Sequence, residues 1–167
     1  MIPFTIKNLI FYCILAWGTN ISLNMLYVIK KKFPSLAKFD YPLDRGIVLD
    51  NKRLIGDSTT IPGLVLVILI SIIFYINHFY FVWYIIPILV YIGHMMGSII
   101  KRRIGKKDGE PVPFLDRADY MILMGLILWP LGVINYKIAL VGFILTYILH
   151  PLVCITSYKL GMKKNPY

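Results

Sequence analysis

Five mainly apolar runs of residues alternate with two long polar segments and two short connections along the chain. A helix that crosses the hydrocarbon layer of a membrane needs about 20 mainly apolar residues, because its backbone polar groups must be satisfied within the segment. The five runs come close to this length, although the second and the fourth are short. They predict transmembrane helices over residues 6–29, 61–76, 79–100, 120–134 and 138–158.

The composition indicates that lipid is the solvent of these helices. Of the 167 residues, 58% are hydrophobic and 16% are charged, which is more apolar surface than one small soluble core could hide. The first run does not resemble a cleaved signal peptide, since the basic residues Lys30 to Lys32 follow its apolar part. No repeat or low-complexity linker divides the chain. We therefore expect an all-α integral membrane protein in which residues 1–167 form a single polytopic domain.

The basic residues predict an orientation. Seven Lys and Arg residues lie in 30–60, six in 101–119 and three after the last helix, which leaves Lys7 and Lys137 for the opposite side. Because basic loops are retained in the cytoplasm, we expect both long loops to be cytoplasmic, the N-terminus outside and the C-terminus inside. The chain would then be a multi-pass protein of the cell membrane. A purely topogenic role for these charges is the competing interpretation.

All eight acidic residues lie in the same two loops. Retention of basic loops requires no carboxylates, so this arrangement indicates a mixed-charge site suited to a metal ion and phosphate groups. Chance clustering in the only polar segments is the competing account. The acids are Asp40, Asp44, Asp50, Asp57, Asp108, Glu110, Asp116 and Asp119.

The end of the first loop has the composition of a phosphate site. Gly56 permits a tight turn, and the backbone N–H groups, the hydroxyls and the next helix N-terminus can donate to anionic oxygens. Asp57 could hold a cation. The alternative is that residues 58–60 only cap the second helix. The candidate phosphate ligands here are Lys52, Arg53, Ser58 and Thr59.

Polar residues also flank the second loop. If the fourth helix begins near Leu115, Asp116 and Asp119 share one face at its positive end, where they could ligate Mg²⁺ or cap the helix. Asn20 and Asn24, one turn apart in the first helix, are expected to hydrogen-bond another helix. On the third helix, a face that is small, polar and then basic suits either close packing or substrate approach. That face contains Gly93, His94, Gly97, Ser98, Lys101 and Arg102.

Several of these residues belong to longer sequence motifs. The first loop contains Pro42-Leu43-Asp44 and Arg53-Leu54-Ile55-Gly56-Asp57, and the second contains Gly109-Glu110-Pro111-Val112-Pro113-Phe114-Leu115-Asp116. An ordered pattern of Ser, Lys-Arg, Lys-Asp and Asp-Arg-x-Asp is met by Ser98, Lys101, Arg102, Lys107, Asp108, Asp116, Arg117 and Asp119. Over essentially its whole length the chain resembles the CDP-archaeol synthases, membrane nucleotidyltransferases related to the bacterial CDP-diacylglycerol synthases (phosphatidate cytidylyltransferases).

This resemblance implies an enzyme that joins CTP to a membrane lipid phosphate, giving a CDP-lipid and pyrophosphate in phospholipid biosynthesis. It implies Mg²⁺, with Mn²⁺ as the alternative, and catalytic carboxylates at Asp57, Asp116 and Asp119. CTP, a lipid phosphate of the archaetidic or phosphatidic acid type and the bilayer are the expected partners, no nucleic acid is expected, and a homodimer is an open alternative. The implied metal ligands are Asp116, His94 and Asp57, and the implied substrate-binding residues are Lys52, Arg53, Ser58, Thr59, Ser98, Lys101, Arg102 and Arg117.

Two positions depart from the family pattern. Where the family usually has Gly-Asp before the Ser-x-x-Lys-Arg run, this chain has Gly93-His94, and where it usually has Gly-Lys-Thr, this chain has Asp57-Ser58-Thr59. These departures favour the second hypothesis, a non-catalytic membrane protein that binds CDP-lipid or another anionic lipid. A small transporter is a third and weaker hypothesis, because the helices contain no charge that could form a path across the membrane.

Overall fold

The computed structural model describes residues 1–77, 79–107 and 110–161. Five long helices, one short helix and a two-stranded hairpin make up this part of the chain. Asp108, Gly109, Lys163 and Lys164 lie outside the described residues. They were counted among the charged residues or belong to the motifs given above. The elements are α1 (Ile6–Lys32), α2 (Pro34–Ala37), β1 (Val48–Leu49), β2 (Lys52–Arg53), α3 (Ile61–Ile76), α4 (Phe81–Arg103), α5 (Pro113–Leu128) and α6 (Tyr136–Lys159).

The count of five long helices is confirmed, and the protein is a multi-pass membrane protein. By length and composition, α1, α4 and α6 can cross a membrane, with 27, 23 and 24 residues. The apolar α3 and the more polar α5 have 16 residues each. At 1.5 Å per residue, each of these two helices is about 24 Å long, which is less than the roughly 30 Å of a bilayer core.

The predicted position of the fourth helix, 120–134, is wrong. The observed helix α5 begins at Pro113, inside the predicted loop 101–119, and ends at Leu128. Proline is favourable in the first turn of a helix, so the polar start of α5 is helical despite its low hydropathy. Beyond its end, residues 129–135 form a turn in which Gly132 has a φ of +67°. Hydropathy alone could not separate that apolar turn from the helix before it.

Helix α4 lies at the centre of the bundle. It packs most extensively against α5 and α3, and α1 packs against both α4 and α6. The contact with α5 is a backbone contact at Gly93, where an added Cβ would overlap the Cα of Tyr120 and lie 2.7 Å from its Cβ. Small residues permit such close approach of membrane helices. Glycine at this position therefore sets the separation of α4 and α5.

The first polar segment, predicted as a plain loop, is folded around one buried carboxylate. Strands β1 and β2 form an antiparallel hairpin. Asp44 is 5% exposed and accepts hydrogen bonds from the backbone N–H groups of Gly46 at 3.0 Å and Ile55 at 2.9 Å. Its Oδ1 also lies 2.9 Å from Nη2 of Arg53. One side chain therefore organises the turn before the hairpin and the chain after it.

This segment rests on the C-terminal turns of α4. The Ser98 hydroxyl accepts a hydrogen bond of 2.9 Å from the N–H of Gly56. The Arg103 guanidinium donates to the carbonyl oxygens of Leu49 and Arg53, each at 3.0 Å. The hairpin and the residues after it are thereby fixed to the same end of α4.

The α4–α5 contact predicts a strong effect of a small substitution. Gly93→Ala should lower the free energy of unfolding in detergent by about 1–3 kcal/mol, because the new methyl group meets backbone that cannot move aside. Gly18→Ala is the matched control, since a Cβ at that helical position has nothing within 4 Å. It should be neutral or slightly stabilising. Thermal unfolding followed by circular dichroism tests this, and equal midpoints for the two variants would contradict the contact.

The buried carboxylate predicts a pH dependence of the first polar segment. Burial alone would raise the pKa of Asp44, but the hydrogen bonds from Arg53 and from the backbone N–H groups of Gly46 and Ile55 outweigh it, so that the pKa is lowered. A lowered folded-state pKa contributes stability that is present above the ordinary value of about 3.9 and is lost as the pH falls through the folded value. Protection of the Ile55 amide against hydrogen exchange, corrected for intrinsic rates, should therefore fall below about pH 4.

Asp44→Asn should lower the hydrogen-exchange protection of the Ile55 amide already at neutral pH. With Arg53 still a third exposed, we expect a loss of about 2 kcal/mol, or about 30-fold in protection. Asp50→Asn is the control, because the Asp50 side chain is 83% exposed. Protection that is unchanged in Asp44→Asn would show that the carboxylate does not hold the segment together.

Candidate functional site

Three parts of the chain meet at the C-terminal end of α4. The first polar segment is joined to α4 through the bond between Gly56 and Ser98. The start of α5 is joined to it through an ion pair between Lys101 and Asp116. Asp57 follows Gly56 directly, so the carboxylates of both polar segments lie at one end of the bundle. We call this region the polar end.

His94 connects three helices. Its Nδ1 lies 3.0 Å from Oδ2 of Asp119 on α5, and its Nε2 lies 3.1 Å from Oδ1 of Asn20 on α1. The prediction that Asn20 bonds another helix is confirmed, whereas Asn24 bonds the backbone of Asn20 within its own helix. An imidazole between a carboxylate and an amide fixes the relative position of α1, α4 and α5 at this level.

Glycine makes room for this network. An added Cβ at Gly97 would lie 2.7 Å from Oδ2 of Asp119, so that only glycine lets the carboxylate lie against α4. The Asp119 side chain is 10% exposed, and its other oxygen accepts from the N–H of Tyr120 at 2.7 Å. The small face predicted on the third helix therefore serves close packing, and the packing in turn positions a carboxylate.

Asp116 has two contacts. It forms the ion pair with Lys101, and its Oδ2 accepts a hydrogen bond of 2.8 Å from the N–H of Val112, the residue that caps α5. Of the two alternatives for the carboxylates of α5, the structure shows the capping role for Asp116, while ligation of Mg²⁺ stays a prediction. Asp116 and Asp119 lie within the first two turns of α5, where the helix dipole favours negative charge.

The predicted phosphate-binding cations of the second polar segment point in different directions. Lys101 points to α5, whereas the guanidinium of Arg117 lies 5.3 Å from the ring centre of Tyr147 on α6. Arg102 is 8% exposed and therefore packs inside the bundle. Lys101 is thus in direct contact with the candidate catalytic carboxylate of Asp116.

The first polar segment brings its own charges. Arg53 pairs with Asp57 at 3.0 Å as well as with Asp44, and Lys52 donates to the carbonyl oxygen of Arg103 at 3.1 Å. Asp57 keeps 65% of its side chain exposed. Asp57 and Lys52 are therefore both exposed charges of this segment.

The hydroxyl residues before α3 do not act as predicted caps. Thr60 occupies the N-cap position of α3, but its side chain makes no capping hydrogen bond, and its carbonyl accepts from the hydroxyl of Tyr91 at 2.7 Å. Thr59 is 4% exposed, whereas Ser58 faces solvent. Of these predicted phosphate ligands, Ser58 is the accessible one.

A divalent cation fits this donor set only in part. Within residues 1–77, 79–107 and 110–161, no three His, Cys, Asp or Glu side chains converge as a complete metal centre. Asp57 is paired with Arg53 and Asp116 with Lys101, so the predicted ligands Asp116, His94 and Asp57 are not brought together. Mg²⁺, however, is usually held by one or two carboxylates with substrate phosphates and water. Asp116 and Asp119 lie one turn apart on α5, and a cation held by both would have to displace Lys101 from Asp116 and His94 from Asp119.

Some residues of the site were missed in the sequence reasoning. Asp44 was assigned no role beyond its motif, and Arg103 was counted only as a basic residue. Both act by bonding the backbone of a distant segment, and that function has no spacing signature in a single sequence. An acid followed closely by Gly46 is the weak signal that could have indicated a carboxylate turn.

Comparisons with known proteins give the same family as the motifs of the sequence. The model of the CarS-like CDP-archaeol synthase family matches residues 70–167. The CDP-archaeol synthase of Aeropyrum pernix is 32% identical over 149 residues, covering 80% of this chain and 83% of the relative. That of Methanopyrus kandleri is 33% identical over 141 residues, covering 75% and 79%. That of Methanococcus aeolicus is 30% identical over 143 residues, covering 73% and 80%.

A solved structure has the same fold. It is an intramembrane enzyme for archaeal membrane lipid biosynthesis, with a TM-score of 0.63 and 24% identity, and the match covers 91% of this chain and 95% of that one. The family match spans more than half of the chain and includes the whole of α4, α5 and α6. The resemblance seen in the polar segments is confirmed: this chain belongs to the CDP-archaeol synthase family, whose members are nucleotidyltransferases of the membrane.

Proposed function

We propose that the protein is a CTP-dependent cytidylyltransferase that converts a membrane lipid phosphate to a CDP-lipid and releases pyrophosphate, in phospholipid biosynthesis. The archaeal relatives favour an archaetidic acid type of lipid, and phosphatidic acid is the second acceptor to test. The observation that carries the proposal is the meeting of both polar segments at the C-terminal end of α4, through Ser98 and Lys101.

The proposed reaction needs no nucleophilic side chain. A lipid phosphate oxygen forms a bond to the α-phosphorus of CTP, the bond from that phosphorus to the bridging oxygen breaks, and pyrophosphate leaves with the electron pair. The lipid phosphate is already ionised near neutral pH. Most of the rate would come from positioning the two substrates and neutralising their charge.

The residues of the polar end suit these two tasks. Lys101 and Lys52 present ammonium groups near the end of α4. These groups would take the place of the family lysine that Ser58 replaces. Their charges would hold phosphate oxygens, together with those of Arg53 and Arg117. Asp116 and Asp119 would hold the divalent cation, which supplies charge neutralisation to the triphosphate.

We further propose that the polar end faces the cytoplasm of the cell membrane. Sixteen of the 18 Lys and Arg residues lie in the two polar segments and the C-terminal tail, which is the distribution of cytoplasmic loops. CTP is water-soluble, whereas the lipid phosphate lies at the bilayer surface. A site at one end of the bundle lets both substrates reach it.

A reconstituted assay tests the function. Purified protein in lipid vesicles, given CTP, unsaturated archaetidic acid or phosphatidic acid, and Mg²⁺ or Mn²⁺, should yield CDP-lipid and an equal amount of pyrophosphate. Asp116→Asn should lower the rate roughly 10²–10³-fold, because one charge at the reacting phosphates is lost. Asp50→Asn, at an exposed carboxylate of the hairpin turn, should keep the rate. No product with any lipid and metal would favour the lipid-binding hypothesis instead.

His94 predicts a metal preference. His94 contacts Asp119, one of the two carboxylates proposed to hold the cation. An imidazole that turned from Asn20 to this cation would be a softer ligand than a carboxylate and would favour Mn²⁺ over Mg²⁺. His94→Asp should therefore lower the ratio of Mn²⁺-supported to Mg²⁺-supported activity, measured as kcat/KM for CTP at saturating metal. His94→Asn is the control, since it keeps a hydrogen-bonding side chain without adding charge. An identical ratio in all three proteins would show that position 94 does not contact the metal.

A further inference from the structure

A cavity lies at the end of the bundle opposite to the polar end. Its volume is about 830 Å³, and we call it the distal cavity. Its walls are the first turns of α1 and α4, the segment before α1, and the turn after α5. The residues used below are Lys7, Asn8, Phe11, Tyr80 and Trp83.

The distal cavity is separate from the candidate active site. Val82, in the first turn of α4, lines it, whereas Ser98 lies at the polar end. Sixteen residues of helix separate these two positions, which is about 24 Å along the axis. A ligand of the distal cavity would therefore contact none of the carboxylates of the polar end.

Backbone hydrogen bonds fix one wall of the cavity. Ile2 donates to the carbonyl oxygen of Val133 at 2.8 Å and accepts from the N–H of Asn135 at 3.1 Å. The amide of Asn8 donates to the carbonyl oxygen of Pro3 at 3.0 Å. The segment before α1 is thus fastened to the turn after α5, so the cavity is part of the fold.

Aromatic rings form the opposite wall. The ring of Phe11 lies 4.8 Å from that of Trp83 and 5.7 Å from that of Phe79. Tyr80, at the rim, is 78% exposed. Tyr and Trp concentrate at the level of lipid headgroups, with an apolar body and a polar edge. This composition places the cavity at the interface of the bilayer, where a headgroup meets its chains.

The charge of this end is purely positive. Outside residues 30–60, 101–119 and the C-terminal tail, Lys7 and Lys137 are the only charged residues, and all eight acids lie between 40 and 119. Lys7 is exposed on the cavity wall and forms no ion pair within the described part of the chain. Helices α1 and α4 both begin here, so their dipoles add positive potential. An anion would find a counter-charge with no carboxylate nearby to repel it.

We propose that the distal cavity binds one anionic phospholipid of the bilayer leaflet opposite to the polar end, with its phosphate at Lys7 and Asn8 and its chains against Phe11 and Trp83. The bilayer surrounds this end, so lipid is the apolar molecule available to fill the cavity. The volume lies in the range of sites for small ligands, and it suits a headgroup with the upper part of its chains. Lys7, the one charged side chain on the cavity wall, selects an anionic headgroup over a zwitterionic one.

Tryptophan fluorescence provides a direct test. In the W17F/W129F variant, Trp83 is the remaining tryptophan. The variant is reconstituted into phosphatidylcholine vesicles in which either phosphatidylglycerol or phosphatidylcholine carries bromine high in its chains. One Lys near a membrane surface contributes about 1 kcal/mol, so half-quenching should need an about five-fold lower mole fraction of the brominated phosphatidylglycerol.

The contribution of Lys7 to the lipid preference is tested by a matched pair of variants. Lys7→Gln should abolish the preference for phosphatidylglycerol, whereas Lys137→Gln, at the same end but outside the cavity wall, should retain it. Raising the salt concentration should weaken the preference. Equal quenching by both brominated lipids, or an unchanged preference in Lys7→Gln, would overturn the proposal. If the tryptophan variant does not fold, lipids retained by the wild-type chain and by the two Lys variants can be compared by native mass spectrometry, with the same expected order.

Discussion

The close contact of α4 and α5 is the constraint on which the polar end depends. Gly93 lets the backbones touch at Tyr120, and Gly97, one turn further on, leaves the space that Asp119 fills. At this separation His94 contacts Asp119, and Lys101 contacts Asp116. A membrane offers no hydrophobic driving force between helices, so packing of this kind has to supply the attraction. The same two glycines therefore contribute to stability and to the geometry of the site.

The polar end combines two kinds of electrostatic arrangement. Asp44 is buried and fully bonded, and it acts as a structural centre for the first polar segment. Asp57 is mostly exposed and shares Arg53 with Asp44. Replacing a buried carboxylate that is fully hydrogen-bonded costs stability, whereas an exposed ion pair contributes little and rearranges easily. The segment thus has a fixed inner side and an adaptable outer side, and the adaptable side faces water.

The sequence predicted the helices and the family more reliably than the contacts between the helices. The second helix was predicted over 61–76, and it is found as Ile61–Ile76, because polar segments bound it sharply. The fourth helix was misplaced, since Pro113 and Asp116 start it within a segment that hydropathy assigns to solvent. The candidate carboxylates were found from their confinement to two loops. The pairing of His94 with Asp119, and the anchoring role of Arg103, depend on three-dimensional approach and leave no pattern in one sequence.

The short length of α3 and α5 has a consequence for the surrounding lipid. These helices flank α4, and each is about 24 Å long in a hydrocarbon layer of roughly 30 Å. Such a mismatch is met by a tilt of the helices or by local thinning of the bilayer. Thinning beside α4 would draw headgroups inward on the side where α3 and α5 lie. A lipid would then carry its polar group toward the level of Lys101 without leaving its leaflet. This shortens the distance that separates a lipid, which diffuses only within the plane of the bilayer, from a solute that diffuses freely in water.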